Sequence, residues 1–129
     1  MGEREAVEWI RFAKDDMEAA KYLLGMPERK LEIICYHCQQ CAEKAMKGLY
    51  ALKNMDIPRT HDFGMLAVGL QSFLDFTNRY EELAFLQPFA VVVRYPYEIE
   101  LRSGDEEKAI KATEAILAAC TAILEKLGQ

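Results

Sequence analysis

The residues whose types most suggest chemistry lie in one stretch, Cys35-Tyr36-His37-Cys38-Gln39-Gln40-Cys41. In a loop, thiolates separated by two residues converge on a zinc ion or an iron–sulfur cluster. Here the stretch lies inside a strongly helical segment that contains no Gly or Pro to fold a metal-binding knuckle. On an α-helix the three sulfurs spread over about 120° and rise by about 9 Å. We therefore interpret them as small core side chains, and we predict no metal, no cofactor and no disulfide.

The same helical segment carries a polar face. Four of its members follow steps of three, four and three, and one acidic residue lies beside them: His37, Gln40, Lys44, Lys47 and Glu43. Residues 29–59 include six basic and three acidic residues, whereas the rest of the chain has ten basic and eighteen acidic ones. This concentration of positive charge can attract a phosphate or an acidic protein surface. The alternative is an ordinary solvated helix face with a partly buried His37.

A second candidate is the segment Pro58-Arg59-Thr60-His61-Asp62, which precedes another helical stretch. Thr60 or Asp62 can cap the following helix, because Thr and Asp side chains accept hydrogen bonds from its first backbone N–H groups. His61, together with those amides, can contact an anion. The alternative is a capped turn without a ligand.

A third candidate is Arg94-Tyr95-Pro96-Tyr97-Glu98, which brings a guanidinium, two phenols and a carboxylate into five residues. Pro96 restricts the residue before it and so stiffens the turn. Loops rich in Tyr and Arg are typical of binding surfaces. They also occur at the ends of helical bundles without any binding function, so both interpretations stay open.

Helical periodicity organises the elements that must position these groups. Apolar residues recur every three or four positions in five segments: one ending near Gly25 and Pro27, then about 30–53, 63–76, 80–93 and a last one from about Ser103 to Leu127. Pro88 predicts a kink or break in the fourth segment. Ser103 and Glu106 have the spacing of a capping box. We predict an all-α fold, an antiparallel up-and-down bundle of four to five helices.

One stretch departs from this pattern. In residues 94–102 apolar and polar residues alternate, which is typical of a half-buried strand. A single strand has no pairing partner in a helical protein, and Pro96 removes a backbone donor. We therefore interpret these residues as an extended loop on the bundle.

Composition limits the class of protein. The chain has 129 residues, of which 51% are hydrophobic and 29% charged, so we expect one domain, residues 1–129, with a packed core. Its net charge of -5 disfavours RNA binding through phosphate contacts. No segment approaches the roughly 18 apolar residues of a membrane span. The first residues lack a secretion signal, so we expect a cytoplasmic protein without a membrane partner.

Taken together, three motifs resemble the HEPN domain family: HCQQCAEKAMKGLYALKN at 37–54, PRTHDF at 58–63 and RYPYE at 94–98. The resemblance extends from Trp9 to about Leu127. It implies a helical bundle that commonly dimerises, is often paired with a small nucleotidyltransferase of the minimal type, and has been proposed to bind nucleotides. It also implies the site residues, which are His37, Gln40, Glu43, Lys44, Lys47, His61, Asp62, Arg94, Tyr95, Tyr97 and Glu98.

The sequence departs from the family in one respect. Many HEPN proteins are ribonucleases with an Arg followed by a His after four to six residues. The matching positions before His37 hold Lys30, Leu31 and Glu32, and those before His61 hold Asn54, Met55 and Asp56. A lysine does not reproduce the planar guanidinium that grips phosphate. The ribonuclease motif is therefore absent from this chain.

We accordingly expect a non-catalytic binding and interaction module that forms a homodimer. It would bind a nucleotide-like anion or dock a separately encoded nucleotidyltransferase, as in toxin–antitoxin, stress or defence systems. The alternative is a divergent metal-independent ribonuclease that uses His37 or His61 together with Arg94 or Lys44.

Overall fold

A computed structural model describes residues 2–90 and 100–127 of the chain. These residues form five α-helices, which we number in chain order: α1 (Gly2–Leu23), α2 (Leu31–Leu52), α3 (Phe63–Leu70), α4 (Tyr80–Leu86) and α5 (Asp105–Leu127). Two short 3₁₀ helices, Thr77–Arg79 and Gln87–Ala90, precede and follow α4. All regular structure within the described ranges is helical, which confirms the predicted all-α class.

Helix α2 is the central element of the bundle. It packs along α1 on one side and α5 on another, and α3 and α4 lie across the remaining part. The apolar stripes predicted for α1, α2 and α5 form the shared core, in which Cys35, Cys38 and Cys41 are fully buried. Thr113 of α5 donates from its hydroxyl to the Cys38 carbonyl at 3.1 Å, which joins α5 to α2. The interpretation of the cysteines as core side chains is confirmed.

Several predicted helix ends are confirmed. Helix α1 ends at Leu23, two residues before Gly25, and α2 occupies nearly all of the predicted segment 30–53. Pro88 interrupts the fourth helix as predicted, because α4 ends at Leu86 and the chain continues as a 3₁₀ helix. Residues 91–93 of that segment lie outside the described ranges.

The predicted extent of the third helix is wrong. It ends at Leu70 rather than near residue 76, and Gln71 and Phe73 continue as turns that bond to Val68 and Leu70. The Asp75 side chain accepts a hydrogen bond from the Thr77 backbone N–H at 2.9 Å. Asp75 thus uses its side chain in a local turn before the 3₁₀ helix Thr77–Arg79, and such a bond favours a turn over α-helix at this point.

The prediction that Ser103 caps the last helix is also wrong. Helix α5 begins at Asp105, so the residue before it is Gly104, whose φ of 103° suits glycine. Two acidic side chains of the first turn accept hydrogen bonds from backbone N–H groups that precede the helix. Glu106 accepts from the Gly104 N–H at 2.7 Å, and Asp105 accepts from the Arg102 N–H at 2.9 Å. The residue before the helix is therefore one position later than the spacing of Ser103 and Glu106 suggested.

The prediction of an extended loop at residues 94–102 concerns described residues only at 100–102. Residues 100–102 have no regular secondary structure, in agreement with a loop, while residues 94–99 lie outside the described ranges.

A separate observation concerns hydropathy: none of the helices in the described ranges combines the length and apolar character needed to cross a bilayer.

Candidate functional site

The first part of the candidate site is built around Asp16 of α1. Its Oδ1 lies 2.8 Å from His37 Nδ1, and its Oδ2 accepts from Lys44 Nζ at 2.6 Å. His37 and Lys44 are seven residues apart on α2, so two helical turns bring both to the same side of that helix. We call Asp16, His37 and Lys44 the Asp16 cluster. The Asp16 residue is only 9% exposed, although it carries a charge.

The second part is built around Glu43 of α2. Glu43 Oε1 accepts from Gln39 Nε2 at 3.0 Å and lies 2.7 Å from His61 Nδ1, while Oε2 accepts from Lys47 Nζ at 3.1 Å. Gln40 Nε2 donates to Gln39 Oε1 at 2.8 Å. We call these five residues the Glu43 cluster. Gln39, Glu43 and Lys47 are spaced by four residues, which aligns them along one side of α2.

Burial and hydrogen bonding act in opposite directions on Glu43. Burial by itself would raise the pKa of this carboxyl group, because it disfavours the charged form. The hydrogen bonds that it accepts from Gln39, His61 and Lys47 outweigh burial and lower the pKa below its ordinary value of 4.5. Glu43 is therefore a buried carboxylate, and its charge holds the surrounding donors in place.

His61 reaches Glu43 because the backbone on both sides of it is fixed. Asp62 caps α3 by accepting from the N–H groups of Gly64 and Met65 at 2.8 and 3.3 Å. Gln87 donates from Nε2 to the His61 carbonyl and accepts from the Phe63 N–H, both at 2.8 Å. The predicted cap is thus Asp62. The Asp62 carboxylate accepts the capping hydrogen bonds of α3, while the His61 side chain remains 62% exposed.

The structure therefore brings six predicted site residues into two neighbouring clusters, namely His37, Gln40, Glu43, Lys44, Lys47 and His61. The interpretation of this face as simply solvated is wrong, because Glu43 and Lys47 are buried. Asp62 lies next to them with a capping role. Arg94, Tyr95, Tyr97 and Glu98 fall outside the described ranges, so their participation stays a prediction.

Three residues of the site were missed by the sequence interpretation: Asp16, Gln39 and Gln87. Asp16 had a signal, because it lies three residues after Ala13 and four before Ala20, within the apolar stripe of α1. A charge at such a position indicates a buried partner. Gln39 had a weaker signal, its spacing of four from Glu43. Nothing in the sequence indicates that Gln87 bonds the chain around His61, because that contact joins residues 26 apart.

The thiols take no part in this site. All four cysteines are buried and none is in a disulfide. Burial raises the pKa of Cys35, Cys38 and Cys120 to about 12, and burial also raises that of Cys41. Among the residues that the structure describes, no three His, Cys, Asp or Glu side chains are grouped so that they could hold a metal ion.

The chemistry available at the site follows from which atoms the carboxylates use. A carboxylate only accepts hydrogen bonds, so a ring nitrogen bonded to ionised Asp16 or Glu43 carries a proton. The other ring nitrogen of His37 and of His61, Nε2, is left to accept or to donate. Lys44 uses one of its three ammonium protons on Asp16, and two remain. The two clusters thus hold nitrogen donors in fixed positions along one side of α2.

The described residues thus form an all-helical bundle whose central helix carries ion-paired His and Lys side chains. The sequence model of the HEPN domain family matches residues 6–125. This chain belongs to the HEPN domain family. The resemblance seen in the sequence motifs is thereby confirmed.

Two solved structures are similar in fold. One is TT1696 from Thermus thermophilus, with a TM-score of 0.79 and 23% identity over 92% of this chain and 98% of that one. The other is ST0689, an archaeal HEPN homologue, with a TM-score of 0.72 and 24% identity over 93% of this chain and 98% of that one. At these identities the similarity concerns the fold. The search of curated proteins returned no match to this sequence.

Proposed function

We propose that this chain is a non-catalytic HEPN-type binding module whose two clusters bind the phosphate of a nucleotide-like anion. The observation that carries the proposal is the Asp16 carboxylate, which bonds both His37 and Lys44. These donors are held in place before a ligand arrives, so less side-chain entropy is lost on binding. Lys44 keeps two ammonium protons for a phosphate oxygen, and ammonium–phosphate hydrogen bonds are among the strong ones.

The balance of charge supports an anionic ligand. Within the two clusters, the carboxylates of Asp16 and Glu43 pair with the ammonium groups of Lys44 and Lys47. The surrounding residues 29–59 carry an excess of three positive charges. An anion would therefore bind more tightly at lower salt.

The test is a titration followed by amide NMR, with ATP and AMP as ligands and short RNA for comparison. We expect saturable shifts confined to the two clusters and the residues around His61. Lys44→Gln should weaken ATP binding about tenfold, the effect of losing one charge-assisted hydrogen bond. Lys14→Gln, on the exposed face of α1, is the matched control and should leave binding unchanged. An absence of shifts at millimolar nucleotide would contradict the proposal.

We further propose that the module is a homodimer and works with a separately encoded nucleotidyltransferase. Membership of the HEPN family supports both ideas, since such domains commonly dimerise and are often paired with that enzyme. Sedimentation at tens of micromolar should give the mass of two chains. Co-purification from the native cell should recover a nucleotidyltransferase. A monomer would remove the first idea, and recovery of the chain without a transferase would remove the second.

A second candidate function, metal-independent RNA cleavage, is favoured by one observation. Both histidines bond a buried carboxylate through Nδ1, at 2.8 and 2.7 Å, which is the orientation that prepares Nε2 as a general base. Under this candidate, substituting both histidines, His37→Ala with His61→Ala, would abolish turnover of short RNA. The binding module instead predicts no turnover by the unmodified protein, so the RNA assay separates the two functions.

A further inference from the structure

Outside the two clusters, the first turns of α1 carry a shallow apolar pocket of about 380 Å³. Trp9 and Phe12 form its apolar wall, and Arg4, Glu5 and Glu8 complete the lining. Phe12 is 47% exposed, which is unusual for a phenylalanine. The Arg11 guanidinium lies 4.6 Å from the centre of the Phe12 ring and pairs with Glu8 at 2.8 Å. The pocket is therefore an apolar surface with charged groups at its rim.

This pocket borders the candidate site. Glu5, Trp9, Phe12 and Asp16 follow steps of four, three and four, so they lie on one face of α1. Phe12 precedes Asp16 by one helical turn, about 6 Å along the axis. On the facing helix, a Cβ added at Gly48 would lie 3.2 Å from Trp9 Cβ, and Gly48 follows Lys44 by one turn. The aromatic pocket and the Lys44–Asp16 pair thus both lie along the contact of α1 with α2.

We propose that the Trp9–Phe12 pocket is the subsite for the base of a nucleoside phosphate. This inference rests on the proposed function, because Lys44 would bind the phosphate of the same molecule. A planar base can stack on exposed aromatic rings, a contact that tolerates any base. The ligand class is therefore a nucleoside phosphate, in preference to free phosphate or a sugar phosphate.

Trp9 gives this inference a direct readout, since it is the single tryptophan of the chain. We would compare AMP with ribose 5-phosphate, measuring Trp9 fluorescence and, independently, affinity by calorimetry. AMP should quench Trp9 and bind about tenfold more tightly, as expected for one base stacked on aromatic rings. Phe12→Ala should reduce AMP to the affinity of ribose 5-phosphate. Tyr22→Ala removes an 83% exposed aromatic ring elsewhere on α1 and should change neither ligand.

The outcomes separate this inference from the function on which it rests. Equal affinities with unchanged Trp9 emission would overturn the base subsite while leaving the phosphate site standing. Failure of both ligands to bind would overturn both proposals. If Phe12→Ala converts a dimer to a monomer in sedimentation, the pocket is a contact between copies of the chain, and the base subsite is overturned.

Discussion

Asp16 Oδ1 of α1 lies 2.8 Å from His37 Nδ1 of α2, a contact between residues 21 positions apart. The same carboxylate accepts from Lys44 at 2.6 Å, so one buried side chain fixes two donors of the central helix. The positions of the His37 and Lys44 side chains on α2 therefore depend on how α1 packs against α2. Asp16 thus contributes to both the stability of the bundle and the geometry of the candidate site.

The first prediction concerns this contact. Asp16→Ala should lower the free energy of unfolding by about 2 kcal/mol, because it leaves His37 and Lys44 without their partly buried acceptor. Asp16→Asn retains an acceptor for His37 and should lower it by less. Urea denaturation measures both. Asp15→Ala is the control, since that neighbouring carboxylate is 60% exposed and should cost less than about 0.5 kcal/mol. Equal losses for Asp15→Ala and Asp16→Ala would contradict the prediction.

The second prediction concerns pH. The folded-state pKa of Glu43 is lowered by its three hydrogen bonds despite the opposing effect of burial, so its stabilising contribution is present above the ordinary value of 4.5. That contribution is lost as pH falls through the lowered pKa. The stability gap between the unmodified protein and Glu43→Gln, measured by urea denaturation, should therefore be largest near neutral pH. It should close in acid, and a gap that is constant with pH would refute this role.

The third prediction concerns the thiols. Because burial raises the pKa of Cys35, Cys38 and Cys120 to about 12, these side chains are protonated as well as enclosed in the folded protein. A chromogenic disulfide reagent at mildly alkaline pH should find no rapidly reacting thiol in the folded protein. All four cysteines should react in concentrated guanidinium chloride. Rapid modification of a thiol before unfolding would contradict the core assignment.

The fourth prediction concerns the fit of α3 against α2. Tyr50 donates from its hydroxyl to the Leu66 carbonyl at 2.8 Å, and that hydroxyl occupies the space beside Gly69. Gly69→Ala should therefore destabilise the fold by about 1–3 kcal/mol through overpacking. Adding Tyr50→Phe removes the nearest atom and should recover part of the loss. Thermal denaturation of the single and double variants measures this coupling, and strictly additive effects would refute it.

Sequence periodicity predicted the three long helices because each carries an apolar stripe that must face the others. Local chemistry predicted a cap at Thr60 or Asp62 and an interruption at Pro88, since both depend on neighbouring backbone groups, and the structure selects Asp62 as the cap. The end of α3 and the start of α5 were less accurate. Near both places an acidic side chain, Asp75 or Glu106, accepts from one of several nearby backbone N–H groups. The sequence spacing does not show which N–H group donates.

What the sequence by itself determined is the helical bundle, its family and the polar face of α2, because periodicity and short motifs are properties of neighbouring residues. Only the tertiary structure decided which carboxylate bonds to which histidine or lysine side chain. The partners of His37, Lys44 and His61 lie 18 to 28 positions away along the chain. Those pairs exist because packing removes Asp16 and Glu43 from water, and a buried carboxylate is stable only with donors around it.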